Sequence, residues 1–160
     1  MKKHLIPLLA LSTLVLASCG GSGSWSWEEA SKDGVLNYAL LIGQIDHNDS
    51  AARTAGIREA LGTRPTTHET NANTEKAVKG SLKLGSTTFE VNEVAHGEQK
   101  STAGATWDQQ TATTSTEAWL NANPNIDFFV SNNDGMAEGA IGASNRKEGM
   151  PIFGYDSNQS

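Results

Sequence analysis

The chain has 160 residues, a formal net charge of −6 and a single cysteine. The acidic balance argues against nucleic acid as a partner, because binding to phosphate requires a positive face. One cysteine excludes a disulfide within the chain, and the length after the amino-terminal segment is sufficient for one domain with a buried core.

The amino terminus has the pattern of an export signal. Two lysines precede an apolar run from Leu5 to Leu16, which is too short for a membrane-spanning helix. The four residues that end at Cys19 resemble the lipobox of bacterial lipoproteins, in which the cysteine becomes the lipid-modified first residue. We predict a signal peptide over 1–18, and a lipidated Cys19 with a flexible Gly/Ser tether over 19–27. An ordinary signal peptide with an unrelated cysteine is the alternative.

Short apolar runs alternate with amphipathic stretches through the remaining domain, residues 28–160. This order predicts an α/β fold in which a parallel sheet carries helices on both faces. Residues 63–104 are polar and are expected to form an insertion around one weak strand. The predicted strands are Tyr38 to Ile42, Thr87 to Val94, Ile126 to Val130 and Pro151 to Phe153, and the predicted helices are Asp49 to Leu61, Trp107 to Leu120 and Gly135 to Ala143.

Polar residues follow three of the predicted strands. They are Gln44 to Asp49, Asn132 to Asp134, and Asp156. Ligands of open α/β sheets bind at the carboxyl ends of the strands, so these three loops are expected to converge on one site.

Six side chains in or near these loops are suited to binding hydroxyl groups. Aspartate accepts hydrogen bonds, arginine donates them and histidine can do either, while tryptophan offers a flat apolar face. Each residue also has a structural alternative. For His47, Asp49 and Arg53 it is a helix cap with a surface ion pair, and for Asn133 it is a helix cap. Trp107 would be a core residue, and Asp156 would have no particular role. The six residues are His47, Asp49, Arg53, Trp107, Asn133 and Asp156.

Several stretches, in the same order along the chain, resemble the bacterial galactose/glucose-binding proteins of ABC transport and chemotaxis. The resemblance covers about Trp27 to Leu61 and Ala105 to Asp156. The stretches are Leu40-Leu41-Ile42-Gly43-Gln44 through His47, Asp49 and Ala52-Arg53-Thr54, then Thr106-Trp107-Asp108, Glu117-Ala118-Trp119-Leu120, Val130-Ser131-Asn132-Asn133-Asp134-Gly135-Met136-Ala137 and Pro151-Ile152-Phe153-Gly154-Tyr155-Asp156.

The resemblance implies one lobe of a type I periplasmic-binding-protein fold that binds a neutral hexose such as galactose or glucose. By position, His47, Asp49 and Arg53 would bond to sugar hydroxyls, and Trp107 would stack on the sugar ring. Asn133 and Asp156 would be further polar ligands. The implied partners are the monosaccharide, an ABC permease and a chemoreceptor. The implied location is the cell envelope, with a lipid anchor in the membrane.

A calcium site is a further expectation. The stretch from Glu29 to Asn37 has the spacing of an EF-hand-like loop, with a glycine at the sharp turn. The resemblance implies that a distant acidic residue completes the site, and Asp127 occupies that position. A solvated acidic turn is the alternative. The predicted calcium ligands are Glu29, Ser31, Asp33, the Val35 carbonyl, Asn37 and Asp127.

The family that this chain resembles has two lobes that close on the sugar, and the sequence matches only the second lobe. We therefore expect weak or undetectable binding by this lobe alone. The rival hypothesis is a membrane-anchored scaffold that docks another protein and retains a vestigial sugar site. A transcription regulator is disfavoured by the export signal. An enzyme is not expected, because no nucleophile or metal spacing accompanies the polar residues.

Overall fold

The computed structural model describes residues 23–156. The predicted signal peptide, the lipidated Cys19 and the start of the tether lie outside these residues. The helices are α1 (Trp27–Ser31), α2 (Asn48–Ala60), α3 (Gln109–Ala122) and α4 (Asp134–Ile141), with a 3₁₀ turn at Ala72–Thr74; the strands are β1 (Val35–Ile42), β2 (Gly80–Leu84), β3 (Thr87–Glu98), β4 (Phe128–Ser131) and β5 (Ile152–Phe153).

The five strands form one sheet in the order β2-β3-β1-β4-β5. The pairs β1–β3, β1–β4 and β4–β5 are parallel, which confirms the α/β prediction. The expectation of an entirely parallel sheet is wrong at one edge, where β2 pairs antiparallel with β3. Only Gly85 and Ser86 separate these strands, and so short a loop permits a hairpin but no crossover. Gly85 has a φ of +61°, which suits a tight hairpin turn.

β1 is the centre of the core because its side chains are buried on both faces of the sheet. On one face, Leu36, Tyr38, Leu40 and Ile42 form a cluster with Phe89 and Val91, covered by Ile57 and Leu61 of the α2 region. On the other face, Ala39 and Leu41 pack against residues of α3 and α4, among them Ala112, Leu120, Met136 and Ala140. Helices therefore cover both faces, as the apolar run in β1 predicted.

The ends of several elements differ from the sequence prediction. His47, and neither Asn48 nor Asp49, caps α2, since its side chain accepts a hydrogen bond from the Asp49 N–H. α3 begins at Gln109 with Asp108 as its cap, so Trp107 lies before the helix. Residues 63–104, expected to be a polar insertion around one strand, supply both β2 and β3 to the sheet.

A buried ion pair joins α2 to the sheet. Arg58 and Glu93 are both fully buried, and two guanidinium nitrogens of Arg58 donate to the two carboxylate oxygens at 2.8 and 2.6 Å. The Tyr38 hydroxyl donates to the same carboxylate at 2.8 Å, and Arg58 also donates to the Ala72 carbonyl at 2.6 Å. Such a pair is costly to desolvate, so the additional hydrogen bonds are what make its burial tolerable.

The charge state of Glu93 is set by these partners. Burial alone raises the pKa of its carboxyl group, but hydrogen bonds from His96 and Arg58 outweigh burial and lower the pKa to about 2. A lowered pKa means that the ionised form is favoured in the folded state. The stabilisation is therefore present above the unfolded-state pKa and is lost as the pH falls through the folded-state value.

We expect the free energy of unfolding to fall by roughly 2 kcal/mol between a pH of about 4.3, the unfolded-state pKa of glutamate, and a pH of about 2. Urea unfolding at several pH values in this range measures the free energy of unfolding. Glu138→Gln, which removes an exposed carboxylate, should leave the pH dependence unchanged. Glu93→Gln should flatten it and lower stability at neutral pH by about 3–5 kcal/mol, since Arg58 is left buried without a counter-charge. A wild-type profile that is flat down to pH 2 would contradict this assignment.

Candidate functional site

Arg53 of α2 is the centre of a polar cluster at the carboxyl edge of the sheet. Its Nη2 lies 2.8 Å from Asp156 Oδ1 and its Nη1 lies 3.3 Å from Asp156 Oδ2, so the pair is held by two contacts. Nη1 also donates to the Asn132 carbonyl at 2.6 Å. Asp156 follows β5 and Asn132 follows β4, so one arginine joins the ends of two strands to α2. The loops that follow β1, β4 and β5 therefore converge at one edge of the sheet.

Trp107 completes the cluster. Its ring centroid lies 5.7 Å from the Arg53 guanidinium carbon and 5.7 Å from the His47 ring, which it meets at 90°. The ring is half-buried and packs against core residues of α3 and α4. Its backbone has a φ of +60°, a rare conformation for a bulky residue. The structure thus places Trp107, Arg53 and Asp156 in one cluster.

The ring of Trp107 also depends on Gly43, the residue that follows β1. A Cβ atom at Gly43 would lie 2.2 Å from Trp107 Cε3, so no larger residue fits while the ring keeps this position. The absence of a side chain at Gly43 is what allows the indole to lie against the carboxyl end of β1.

Sequence reasoning missed Tyr155. Its ring is exposed, and the Arg53 guanidinium carbon lies 4.4 Å from the ring centroid, which is cation–π distance. Arg53 therefore lies near two aromatic rings, those of Trp107 and Tyr155. The available signal was the position of Tyr155 directly before Asp156, at the end of a strand that leads into the predicted site.

Sequence reasoning also missed the role of Asn132, which is fully buried below the site. Its Oδ1 accepts hydrogen bonds from the Gly43 N–H at 3.2 Å and from the Ser50 hydroxyl at 2.8 Å. Its Nδ2 donates to the Thr54 hydroxyl at 3.3 Å. One side chain thereby ties β4 to the end of β1 and to α2.

The other three predicted sugar-binding residues lie at helix starts around this cluster. His47 and Asp49 are exposed in the loop and first turn of α2. Arg53 forms its ion pair with Asp156, and not the predicted alternative pair with Asp49. Asn133 caps α4, because its Oδ1 accepts from the Met136 N–H at 2.9 Å. Its amide nitrogen remains the group that could donate to a ligand.

The predicted calcium residues lie at the opposite, amino-terminal edge of the sheet. A cavity of about 240 Å³ there is lined by Glu29, Asp33, Val35, Asn37 and Asp127, but not by Ser31. Glu29 and Ser31 belong to α1, in which residues two apart point to different sides of the helix. The structure therefore assembles five of the six predicted ligands around one space.

The chemistry of this cavity does not fit a divalent cation. Calcium takes roughly six to eight converging oxygens, and no group of three acidic, histidine or cysteine residues within 23–156 is arranged to hold a metal. Glu29 forms an ion pair with Lys32, and Lys147 also lines the cavity. Burial raises the pKa of the Asp127 carboxyl group, and the Asn37 N–H and Lys147 act in the opposite direction.

The chain thus folds as an α/β lobe with a polar and aromatic cluster at the carboxyl edge of its sheet. The model of the periplasmic binding protein domain matches residues 15–160, so the chain belongs to the periplasmic binding protein family. Membership implies a location in the cell envelope or periplasm. Among residues 23–156, no helix has the length and apolar character needed to cross a bilayer.

A curated relative is the D-galactose/methyl-galactoside binding periplasmic protein MglB of Haemophilus influenzae. It is 29% identical to this chain over 131 residues, which are 80% of this chain and 31% of the relative. The chain thus spans about a third of the length of that protein. Both the family and the relative are described as binding proteins.

Asn132 and Asn133 offer a matched pair of substitutions to test the organisation of this edge. Asn132→Ala should lower the free energy of unfolding by about 2–3 kcal/mol, because it leaves buried donors without an acceptor. Asn133→Ala removes only a helix cap and should cost about 1 kcal/mol. Urea denaturation of the two variants measures the difference. Equal losses, or a larger loss at Asn133, would contradict the role assigned to Asn132.

Proposed function

We propose that this chain binds a neutral hexose such as galactose or glucose at the carboxyl edge of its sheet. The observation that supports the proposal most directly is the cluster of Arg53, Asp156 and Trp107 around one point at this edge. Charged donors and acceptors next to an aromatic ring are the combination that a pyranose requires, since each sugar ring has hydroxyl groups at its rim and an apolar C–H face.

Each member of the cluster has a distinct role in this proposal. The Asp156 carboxylate accepts from a sugar hydroxyl, and the Arg53 guanidinium donates to one. Trp107 packs against the apolar face of the ring. His47, Asp49 and Asn133 supply further hydrogen bonds from the surrounding helix starts. Specificity follows from polar groups that are left unpaired when an analogue lacks the matching hydroxyl.

The biological role that we propose is the substrate-binding component of an ABC-type sugar uptake system. The name of the Haemophilus influenzae relative supports galactose or a galactoside as the ligand class. In this role the chain would deliver the sugar to an ABC permease and could also engage a chemoreceptor. Lipidation of Cys19 would anchor it to the membrane, and the glycine-rich residues 20–23 would hold the domain away from the surface; the predicted tether is shorter than 19–27, because Ser24 and Trp25 pair with Glu148 and Trp27 begins α1.

A second candidate function is a membrane-anchored scaffold, and an apolar groove favours it. The groove has a volume of about 300 Å³ and is lined by Trp27, Leu82, Leu84, Phe128 and Phe153, among others. Trp27, Leu84 and Phe153 are each more than two-fifths exposed. Exposed apolar surface of this kind is typical of protein interaction sites.

Titration with galactose and glucose, followed by NMR of the tryptophan indole N–H groups, tests the sugar proposal. We expect a saturable shift of Trp107 with a millimolar dissociation constant, since an open lobe buries less of a ligand than a closed cleft. Trp107→Ala should weaken binding at least about tenfold, equivalent to roughly 1.4 kcal/mol.

The matched control is Trp27→Phe, which changes an exposed tryptophan of α1 and should leave the affinity unchanged. Sorbitol, which has similar hydroxyl groups but no ring face, should produce no saturable shift. Absence of any sugar-dependent shift in the wild-type protein would contradict the sugar proposal and leave the scaffold as the better candidate.

A further inference from the structure

The cavity at the amino-terminal edge of the sheet contains charges of both signs. Three acidic residues line it, Glu29, Asp33 and Asp127, together with two lysines, Lys32 and Lys147. The formal charge of the five groups is therefore −1, the sum of three negative and two positive charges. A divalent cation in this cavity would share it with two side chains of like charge.

Each of the three carboxylates has a hydrogen-bond or ion-pair partner within the chain. Asp127 Oδ2 accepts from the Asn37 N–H at 2.8 Å, and Asp33 Oδ1 accepts from the Val35 N–H at 3.0 Å. Glu29 is held by its ion pair with Lys32 on the adjacent turn of chain. Each acidic group thus has a partner from the chain itself.

The backbone of Lys147 is held at the cavity wall. Its carbonyl accepts from the Met150 N–H at 3.2 Å and from Arg146 Nη1 at 3.1 Å. The next residue, Glu148, accepts from the Trp25 N–H at 2.8 Å, which ties this turn to the segment before α1. Two chain segments far apart in sequence therefore bring Lys147 to the same cavity as the acidic residues.

We propose that Lys147 and Lys32 supply, as covalently attached cations, the charge neutralisation that a bound divalent cation would otherwise provide in this cavity. The fold of this lobe is then independent of calcium. An ammonium group fits here because it carries three donors and needs only one or two carboxylates, whereas calcium requires a full shell of oxygens. The proposal concerns only this edge of the sheet and does not depend on sugar binding.

The test is thermal unfolding of the purified protein and its lysine variants, in excess chelator and in millimolar calcium chloride. The wild-type melting temperature should be the same in both conditions. Lys147→Gln should lower it by about 2–4 °C in chelator, and Lys147→Arg, which retains the charge, should restore it. Lys100→Gln, at an exposed site outside the cavity, is the matched control and should have no effect.

Two results would overturn the proposal. One is a saturable rise of the wild-type melting temperature with calcium, supported by stoichiometric calcium binding in calorimetry. The other is a Lys147→Gln protein as stable as Lys100→Gln in chelator. Lys32→Gln is a second variant for the case that Lys147→Gln fails to fold. It should also lower the melting temperature in chelator, and an unchanged melting temperature would count equally against the proposal.

Discussion

Burial of β1 on both faces is the constraint on which the rest of the domain depends. β1 is covered by α2 on one side and by α3 and α4 on the other, and it lies in the middle of the sheet. Its two parallel neighbours then end at the same edge as β1 itself. This is why the loops after β1, β4 and β5 meet, and why Arg53 can reach the residues that follow β4 and β5.

At the carboxyl edge, the polar and aromatic groups of the proposed sugar site already contact one another. Arg53 and Asp156 form an ion pair, and Tyr155 and Trp107 lie close to the same guanidinium. Hydrogen-bonding groups held in place by packing lose little conformational entropy when a ligand binds. The buried Asn132 supports this arrangement from beneath.

Charged side chains differ in their burial at three places in this domain. At Arg58 and Glu93 the charge is fully buried and satisfied by several hydrogen bonds, so the pair specifies how α2 lies on the sheet. At the carboxyl edge it is partly exposed and therefore available to a ligand. At the amino-terminal edge, lysines and carboxylates line one cavity. The degree of burial, more than the residue type, determines which role a charged side chain has.

The sequence by itself determined the α/β class, seven of the main elements and the convergence of the three loops, because apolar periodicity and turn residues are local signals. It also indicated Trp107, Arg53 and Asp156 as candidate sugar-binding residues, on the basis of a family resemblance. Tertiary structure alone decided that β2 forms an antiparallel edge and that Asp156 rather than Asp49 pairs with Arg53. It also decided that Lys147 lines the same cavity as Asp127 at the amino-terminal edge of the sheet. Those outcomes depend on contacts between residues far apart in the chain, which no local pattern of side chains encodes.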